Sequence, residues 1–343
     1  MTHPRRCPAE WEPQAATLIT WPHHADIWEP DVPLAAVQAT HAAIIRHLTH
    51  YQPTLVLAVE REKARAACLA AGARPDHLHV HAVPTDDLWI RDYGPVTVYD
   101  PPAGALLLDF VYNGWGLKYP AELDNQATRR LAAAGALPAR RRSPETLVLE
   151  GGSLDSDGQG RLLTTTACLL TPTRNPRLDR PALTAELQRL LGVQTVLWLD
   201  HGYLAGDDTD AHVDNLARFA PGGIVLHAAC ADPGDEHYLE LAALGAEVAR
   251  LPGVRPLPLY LPPPLHAPDG HRLPASYANF LVLNGAVLVP TYGSPAADQA
   301  ALATIASAFP GRDIVGVDCR TLIHQHGSLH CATMHLPLGA LDP

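Results

Sequence analysis

The sequence predicts a mixed α/β protein folded as a five-bladed α/β propeller, with pseudo-fivefold ββαβ-type repeats around a central site. Three observations predict it. A polar cluster interrupts strand-like sequence at a near-constant interval, the clusters lead into β-hairpins, and an amphipathic helical segment with a following extended run separates successive clusters.

The clusters are Arg91-Asp92, Glu150-Gly151-Gly152, His212-Val213-Asp214, Ser276 to Asn279, and Gly327 to Cys331. Measured between Asp92, Glu150, Asp214, Asn279 and Cys331, the intervals are 58, 64, 65 and 52 residues, the regularity expected of a repeated supersecondary unit. Four hairpins follow the first four clusters: Val96 to Phe110 turning at Pro101 to Gly104, Ser153 to Thr165 at Asp157 to Gly160, Asn215 to Ala228 at Pro221 to Gly223, and Phe280 to Pro290 at Asn284-Gly285. Helical periodicity covers Leu34 to Leu48, Asn125 to Ala134, Pro181 to Leu191, Tyr238 to Ala249 and Ala296 to Phe309. Extended runs come next, at Thr54 to Val59, Leu147 to Glu150, Thr195 to Leu199, Val254 to Leu261 and Asp313 to Val317. The fifth cluster leads into Ala332 to Leu336, which has no return strand before the chain ends. Ala15 to Trp21, near the start, has no partner either. Pairing the two closes the ring and makes one domain of residues 1–343, with Pro262 to Pro274 as a loop.

Composition narrows the function. Twenty-five Lys and Arg against 36 Asp and Glu give a net charge of -11, which repels nucleic acid and anionic membranes and favours a small cationic partner. No stretch approaches the roughly 20 apolar residues of a membrane span, and Met1 to Glu10 has no signal-like apolar core, so a cytoplasmic protein is expected. Cysteines 7, 68, 168, 230, 319 and 331 form no CxxC pair; reduced thiols and no metal or other cofactor are expected. A homo-oligomer is the usual prior for such a chain.

The clusters hold the side chains needed to hydrolyse a guanidinium. This flat, resonance-stabilised cation needs a strong nucleophile, carboxylates to hold its plane, and a proton donor for the departing ammonia. Cys331 offers a thiolate if a neighbouring cation, His⁺ or the substrate itself, lowers its pKa. Asp92 and Asp214 can chelate the guanidinium through paired charge-assisted hydrogen bonds. In His212-Val213-Asp214 the polar side chains alternate with an apolar one, so on a strand both face one side, and His212 can carry the proton. Glu150, beside Gly151-Gly152, can steady that imidazole or take another guanidinium nitrogen. Plainer readings stand beside these: an Arg91–Asp92 ion pair, a turn-capping Glu150, a core histidine at 212 and a structural Trp115.

These residues sit in motifs that resemble the agmatine deiminases of the Porphyromonas-type peptidylarginine deiminase family, within the pentein, or guanidine-modifying, superfamily. The motifs are Pro8-Ala9-Glu10-Trp11-Glu12-Pro13, Trp89-Ile90-Arg91-Asp92-Tyr93-Gly94-Pro95, Asn113-Gly114-Trp115-Gly116, Glu150-Gly151-Gly152, His212-Val213-Asp214-Asn215, Ser276-Tyr277-Ala278-Asn279-Phe280 and His330-Cys331. The resemblance implies a pentein propeller and a metal-free hydrolysis of agmatine to N-carbamoylputrescine and ammonia, a step of polyamine metabolism, through a covalent amidino-cysteine. It implies Cys331 as nucleophile, His212 as acid/base, Asp92 and Asp214 as guanidinium ligands, Glu150 as a supporting carboxylate and Trp89 as a substrate-contacting aromatic. Two positions depart from the family pattern: Gln325-His326-Gly327-Ser328 replaces a glycine-rich run before the nucleophile, and Tyr93 stands where Thr is common, expected beside the substrate's aliphatic tail.

Three other readings compete. Arginine or peptidyl-arginine is the alternative substrate within the same chemistry. A metal-dependent hydrolase would use His324, His326, His330, Cys331 and His335, although their spacing fits no closed zinc motif. A non-catalytic propeller could bind a cation without reacting.

Overall fold

Local sequence builds the framework of this computed structural model from short strands and capped helices. Residues 5–25, 27–28, 32–101 and 103–342 are described; Pro102, within the Pro101 to Gly104 turn, and the extreme ends of the expected 1–343 domain lie outside them. In chain order come β1 (Gln14–Thr20), α1 (Leu34–Tyr51), β2 (Thr54–Ala58), α2 (Arg61–Ala70), β3 (Leu78–Ala82), β4 (Val96–Asp100), β5 (Gly104–Val111), α3 (Ala127–Ala133) and β6 (Arg142–Val148). There follow β7 (Asp155–Ser156), β8 (Arg161–Thr165), α4 (Arg180–Leu191), β9 (Thr195–Leu199), β10 (Ala217–Ala220), β11 (Ile224–Ala229), α5 (Tyr238–Val248) and β12 (Arg255–Tyr260). The last are β13 (Leu281–Leu283), β14 (Ala286–Thr291), α6 (Pro295–Ala308), β15 (Asp313–Asp318) and β16 (Thr333–Pro337).

Helix α4 shows how local chemistry sets these boundaries. The Asp179 carboxylate accepts the Ala182 N–H at 3.0 Å, Pro181 occupies the first turn, and Leu183, Leu187, Leu190 and Leu191 form the buried stripe. The helix stops at Gly192, whose φ of +68° and approach to the Arg5 carbonyl, 2.1 Å from where a Cβ would stand, leave no room for a side chain.

Among the described residues the strands form five sheets, one of four strands and four of three. In each three-stranded sheet a hairpin supplies two antiparallel strands, and the strand after the helix joins the second in parallel. The remaining sheet, β16-β1-β2-β3, makes its antiparallel pair from the two ends of the chain: Ala16 faces Leu336 and Leu18 faces Met334. The unpartnered runs at either end thus satisfy each other's backbone groups. No helix among the described residues is long and apolar enough to cross a membrane.

Three elements depart from expectation. Helix α2 and strand β3 escape the periodicity reading because the helix opens on charged residues and buries only Ala64 and Cys68, and β3 alternates apolar residues with His79 and His81. The run expected at Leu147 to Glu150 is instead strand Arg142–Val148 at the border of its sheet, where Pro144 is tolerated and Arg142 is held by Asp109 at 2.5 Å.

The end-to-end pair should be integral to stability. Leu336 is fully buried, and Leu336→Ala is expected to cost about 2–5 kcal/mol in urea unfolding; a cost near zero would show that β16 can detach without consequence.

Candidate active site

All five polar clusters fall in the segment just before a strand of an antiparallel pair, where the chain enters a sheet. Asp92 lies in the helical turn Ile90–Tyr93 before β4, Glu150 precedes the turn Gly151–Ser153 before β7, and Asp214 is in the turn Val213–Asn215 before β10. Asn279 leads into β13, and His330-Cys331 into β16. His212 and Asp214 therefore do not share a strand face: the stretch is a single 3-10 turn, made compact by the Asn215 N–H bond to the His212 carbonyl at 3.3 Å.

The clusters meet in cyclic order. The Gly152 N–H donates to Asp92 Oδ1 at 2.9 Å, and a Cβ on Gly152 would stand 2.7 Å from His212 Nδ1 and 3.1 Å from Asp214 Oδ2. Asn279 Nδ2 donates to Asn215 Oδ1 at 2.9 Å, the Asn279 side-chain oxygen accepts the His330 N–H at 2.8 Å, and the Arg91 N–H donates to the Cys331 carbonyl at 3.2 Å. Gly152 is thus the close-approach point, with Asp92, His212 and Asp214 around the space a side chain would fill.

Cys331 Sγ accepts a hydrogen bond from Asn279 Nδ2 at 3.1 Å and lies 3.7 Å from Asp214 Oδ2. Burial, together with the charges of Asp214 and Asp92, pushes its thiol well above the ordinary range, so the sulfur is protonated at neutral pH. His212 Nδ1 is 3.6 Å from Asp92 Oδ1, and neither ring nitrogen has a hydrogen-bond partner among the described residues. Burial drives its pKa down to about 3, so the imidazole is neutral.

The two aspartates differ in their surroundings. Asp92 accepts from Trp115 Nε1 at 2.9 Å as well as from Gly152, yet burial and the nearby Asp214 raise its carboxyl well above the usual range. For Asp214, burial acts in the same direction, but the hydrogen bond and charge of His330 outweigh it and the carboxyl ends below its usual value. Asp214 Oδ2 is tied to His330 Nδ1 at 2.8 Å, whereas Oδ1 is buried with no partner among the described residues.

Glu150 is occupied elsewhere. Both its oxygens lie 2.9 Å from Arg174 Nε, in a pair fully shielded from solvent, and it makes no hydrogen bond to His212. Arg174 continues to Asp210 at 2.7 Å and to the Thr209 carbonyl at 3.0 Å, linking Glu150 to the segment leading to His212. The Arg91–Asp92 ion pair is absent among the described contacts: Arg91 turns away to Glu10, 3.5 Å distant, and to His335 Nδ1 at 3.1 Å.

A cleft of about 450 Å³ opens onto Cys331 and Asp92. Trp89 and Trp115 are part of its wall; Gly327 lies so close to the Trp89 ring that a Cβ would fall 2.5 Å from it. Asp86, Asp87 and Asp208 line the cleft, and no Lys or Arg does among the described residues. Asp87, raised to about 7 by burial, accepts from Gln325 at 3.0 Å, while Asp208 accepts from Tyr119 at 2.6 Å. Tyr93 is not in the cleft wall: its hydroxyl bonds the Asp87 carbonyl at 2.9 Å and meets Thr20 at 2.8 Å, so it supports the acidic segment from behind.

The histidines expected to compete as metal ligands do not gather. His330 lies between Asp214 and Glu10, His335 by Arg91, and His326 on the Gly206 carbonyl at 2.8 Å. Glu150, Cys168 and His212 do converge, with donor atoms within 4.8 Å of one another, but an ion there would face the Arg174 guanidinium that both Glu150 oxygens already bind. Sequence reasoning passed over Glu10, Arg174 and Arg218, and read Trp115 as structural; only the Glu10 motif and the His330-Cys331 pair carried a signal.

The chain is similar over nearly its whole length to known proteins. An agmatine deiminase of Stutzerimonas stutzeri is 34% identical, with 96% of this chain and 95% of that one covered. The solved structure of a Campylobacter jejuni agmatine deiminase, a cysteine-to-serine variant with substrate bound, is 31% identical, covers 97% and 96% of the two chains and superposes with a TM-score of 0.89. A solved Porphyromonas gingivalis structure, named as a suspected arginine deiminase, is 40% identical over 98% of this chain and 100% of the other, with a TM-score of 0.89. Residues 6–337 match the model of the Porphyromonas-type peptidyl-arginine deiminases, and the chain belongs to that family.

Proposed function

We propose that the protein is an agmatine deiminase, hydrolysing agmatine to N-carbamoylputrescine and ammonia without a metal, in the cytoplasm. The observation that carries this reading is a buried thiol beside the buried Asp214, at a cleft whose wall includes Asp92, Asp86, Asp87 and Asp208. Five sheets whose entry turns touch in cyclic order support a single five-bladed propeller with this site at its centre.

In the proposed mechanism the guanidinium spans Asp92 and Asp214, and its positive charge replaces the mutual repulsion of the two carboxylates with charge-assisted hydrogen bonds. The same charge lowers the Cys331 pKa. The thiol proton passes to the unpartnered imidazole of His212, and Sγ adds to the guanidinium carbon. His212 returns that proton to the departing nitrogen, which leaves as ammonia. It then takes a proton from the water that attacks the thiouronium carbon; the C–S bond breaks as the added hydroxyl releases its proton to solvent and becomes the ureido carbonyl, and the leaving thiolate recovers the proton held by His212. Glu150, clamped by Arg174, acts through the field it adds beside His212 and Asp92. Trp89 and Trp115 flank the substrate chain.

The cleft favours agmatine over arginine. Agmatine carries an ammonium at its far end, which suits Asp87 and Asp208; the carboxylate of arginine would meet the same acids with no Lys or Arg among the described lining residues to receive it.

Ammonia release from agmatine, free arginine and a peptide ending in arginine tests the substrate. Agmatine should exceed the others in kcat/KM by about 100-fold or more, since opposed like charges cost several kcal/mol; equal rates would overturn the assignment. Cys331→Ser should end turnover yet still be stabilised by agmatine in a thermal melt, and residual turnover at the parent rate would eliminate Cys331 as nucleophile. Gly152→Ala should lower kcat/KM by about 100-fold or more by displacing Asp92 and His212, with the protein still folded by circular dichroism; full activity would mean the three side chains do not act together.

A further inference from the structure

His330 adjoins the proposed nucleophile, yet the mechanism above gives it no part. Its ring is fully enclosed, with Nδ1 2.8 Å from Asp214 Oδ2 and Nε2 2.7 Å from Glu10 Oε2. Both neighbours are carboxylate oxygens. A neutral imidazole has one N–H and one lone pair, so it can satisfy only one of them and would point its lone pair at the other. An imidazolium donates to both.

We propose that His330 is a positioning residue held as an imidazolium between Glu10 and Asp214, where it fixes one Asp214 oxygen and leaves the other available to the substrate guanidinium. The proposal rests on the guanidine-hydrolysing reading of the cleft. Asp214 Oδ2 is the oxygen held, and Oδ1 is the buried one without a partner among the described residues. The backbone secures the ring from the opposite side, since the His330 N–H donates to Asn279, the residue that also bonds Cys331 Sγ.

Both groups that the ring touches are acids, Glu10 and Asp214, and the guanidiniums nearby approach Glu10. Arg218 reaches Glu10 at 3.0 Å and also binds Asp155, and Arg91 lies 3.5 Å from Glu10. Of the other nearby groups, His335 is neutral, its pKa pushed down to about 3 by burial, and its Nδ1 accepts from Arg91. On the cleft side Cys331 and His212 are neutral in the free protein. Arg312 lies farther out, on the carbonyls of Leu283 and Trp11. Burial and the two arginines lower the His330 pKa from its ordinary value, but loss of the proton would set an imidazole lone pair against a carboxylate at 2.7 or 2.8 Å.

Two measurements test this. In histidine-15N-labelled protein, with the His330 signals assigned by their loss in His330→Asn, both ring nitrogens should carry protons from pH 6 to 8; a single N–H on this ring at pH 7 would overturn the proposal. This reading needs no substrate, so it stands or falls separately from the assignment of the cleft. For the kinetic arm, Asn places its amide near the Nδ1 position and Gln near Nε2. His330→Gln, which gives up the Asp214 bond, should lower agmatine kcat/KM by about 100-fold, and His330→Asn, which can keep it, by about 10-fold or less. Equal losses in both variants, in step with equal drops in melting temperature, would make His330 a merely structural residue and refute the positioning role.

Discussion

The centre of this protein is organised by the cost of placing ionised carboxylates where water cannot reach them. Asp92, Asp214, Glu150 and Glu10 are all buried, and an unpaired buried ion costs several kcal/mol even after relaxation. The protein answers this differently at each acid. Glu150 is neutralised by Arg174, Glu10 by Arg218, Arg91 and His330, and Asp214 by His330. Asp92 receives only the neutral donors Trp115 and Gly152, and its carboxyl rises accordingly. It is the acid left without a cation, and a guanidinium is the partner that would complete it.

That imbalance couples binding to reactivity. In the free protein the thiol of Cys331 is protonated and His212 is neutral, because burial disfavours charge on both. A cation set between Asp92 and Asp214 reverses the field at the sulfur, so in the proposed mechanism the nucleophile is generated only when substrate is present. The cleft carries the same preference outward: Asp86, Asp87 and Asp208 line it, and the Gln325-His326-Gly327 segment is anchored to Asp87, Gly206 and the Trp89 face. The departure from a glycine-rich run before the nucleophile is thus absorbed by fixed contacts. Tyr93, the other departure, braces the Asp87 backbone.

Much of the framework is readable along the chain because its signals are local. Hairpin turns such as Asn284-Gly285, the Asp179 cap with Gly192 at the end of α4, and the interval near sixty residues each depend on neighbours in sequence. Where local signals were weak the reading failed. The charged helix α2 with β3 was not anticipated, β6 begins earlier than its apolar run, and the His212 to Asp214 stretch turns instead of extending.

The sequence by itself determined the repeated unit and the candidate residues for the proposed chemistry, since residue type and spacing decide which side chains can donate, accept or attack. Only the tertiary structure decided how the buried charges pair: that Glu150 belongs to Arg174, that Arg91 turns from Asp92 to Glu10, and that His330 ties Asp214 to a residue near the opposite end of the chain. Charge pairing acts through space over a few ångströms and takes no account of sequence separation, so no pattern along the chain specifies which buried charge will meet which.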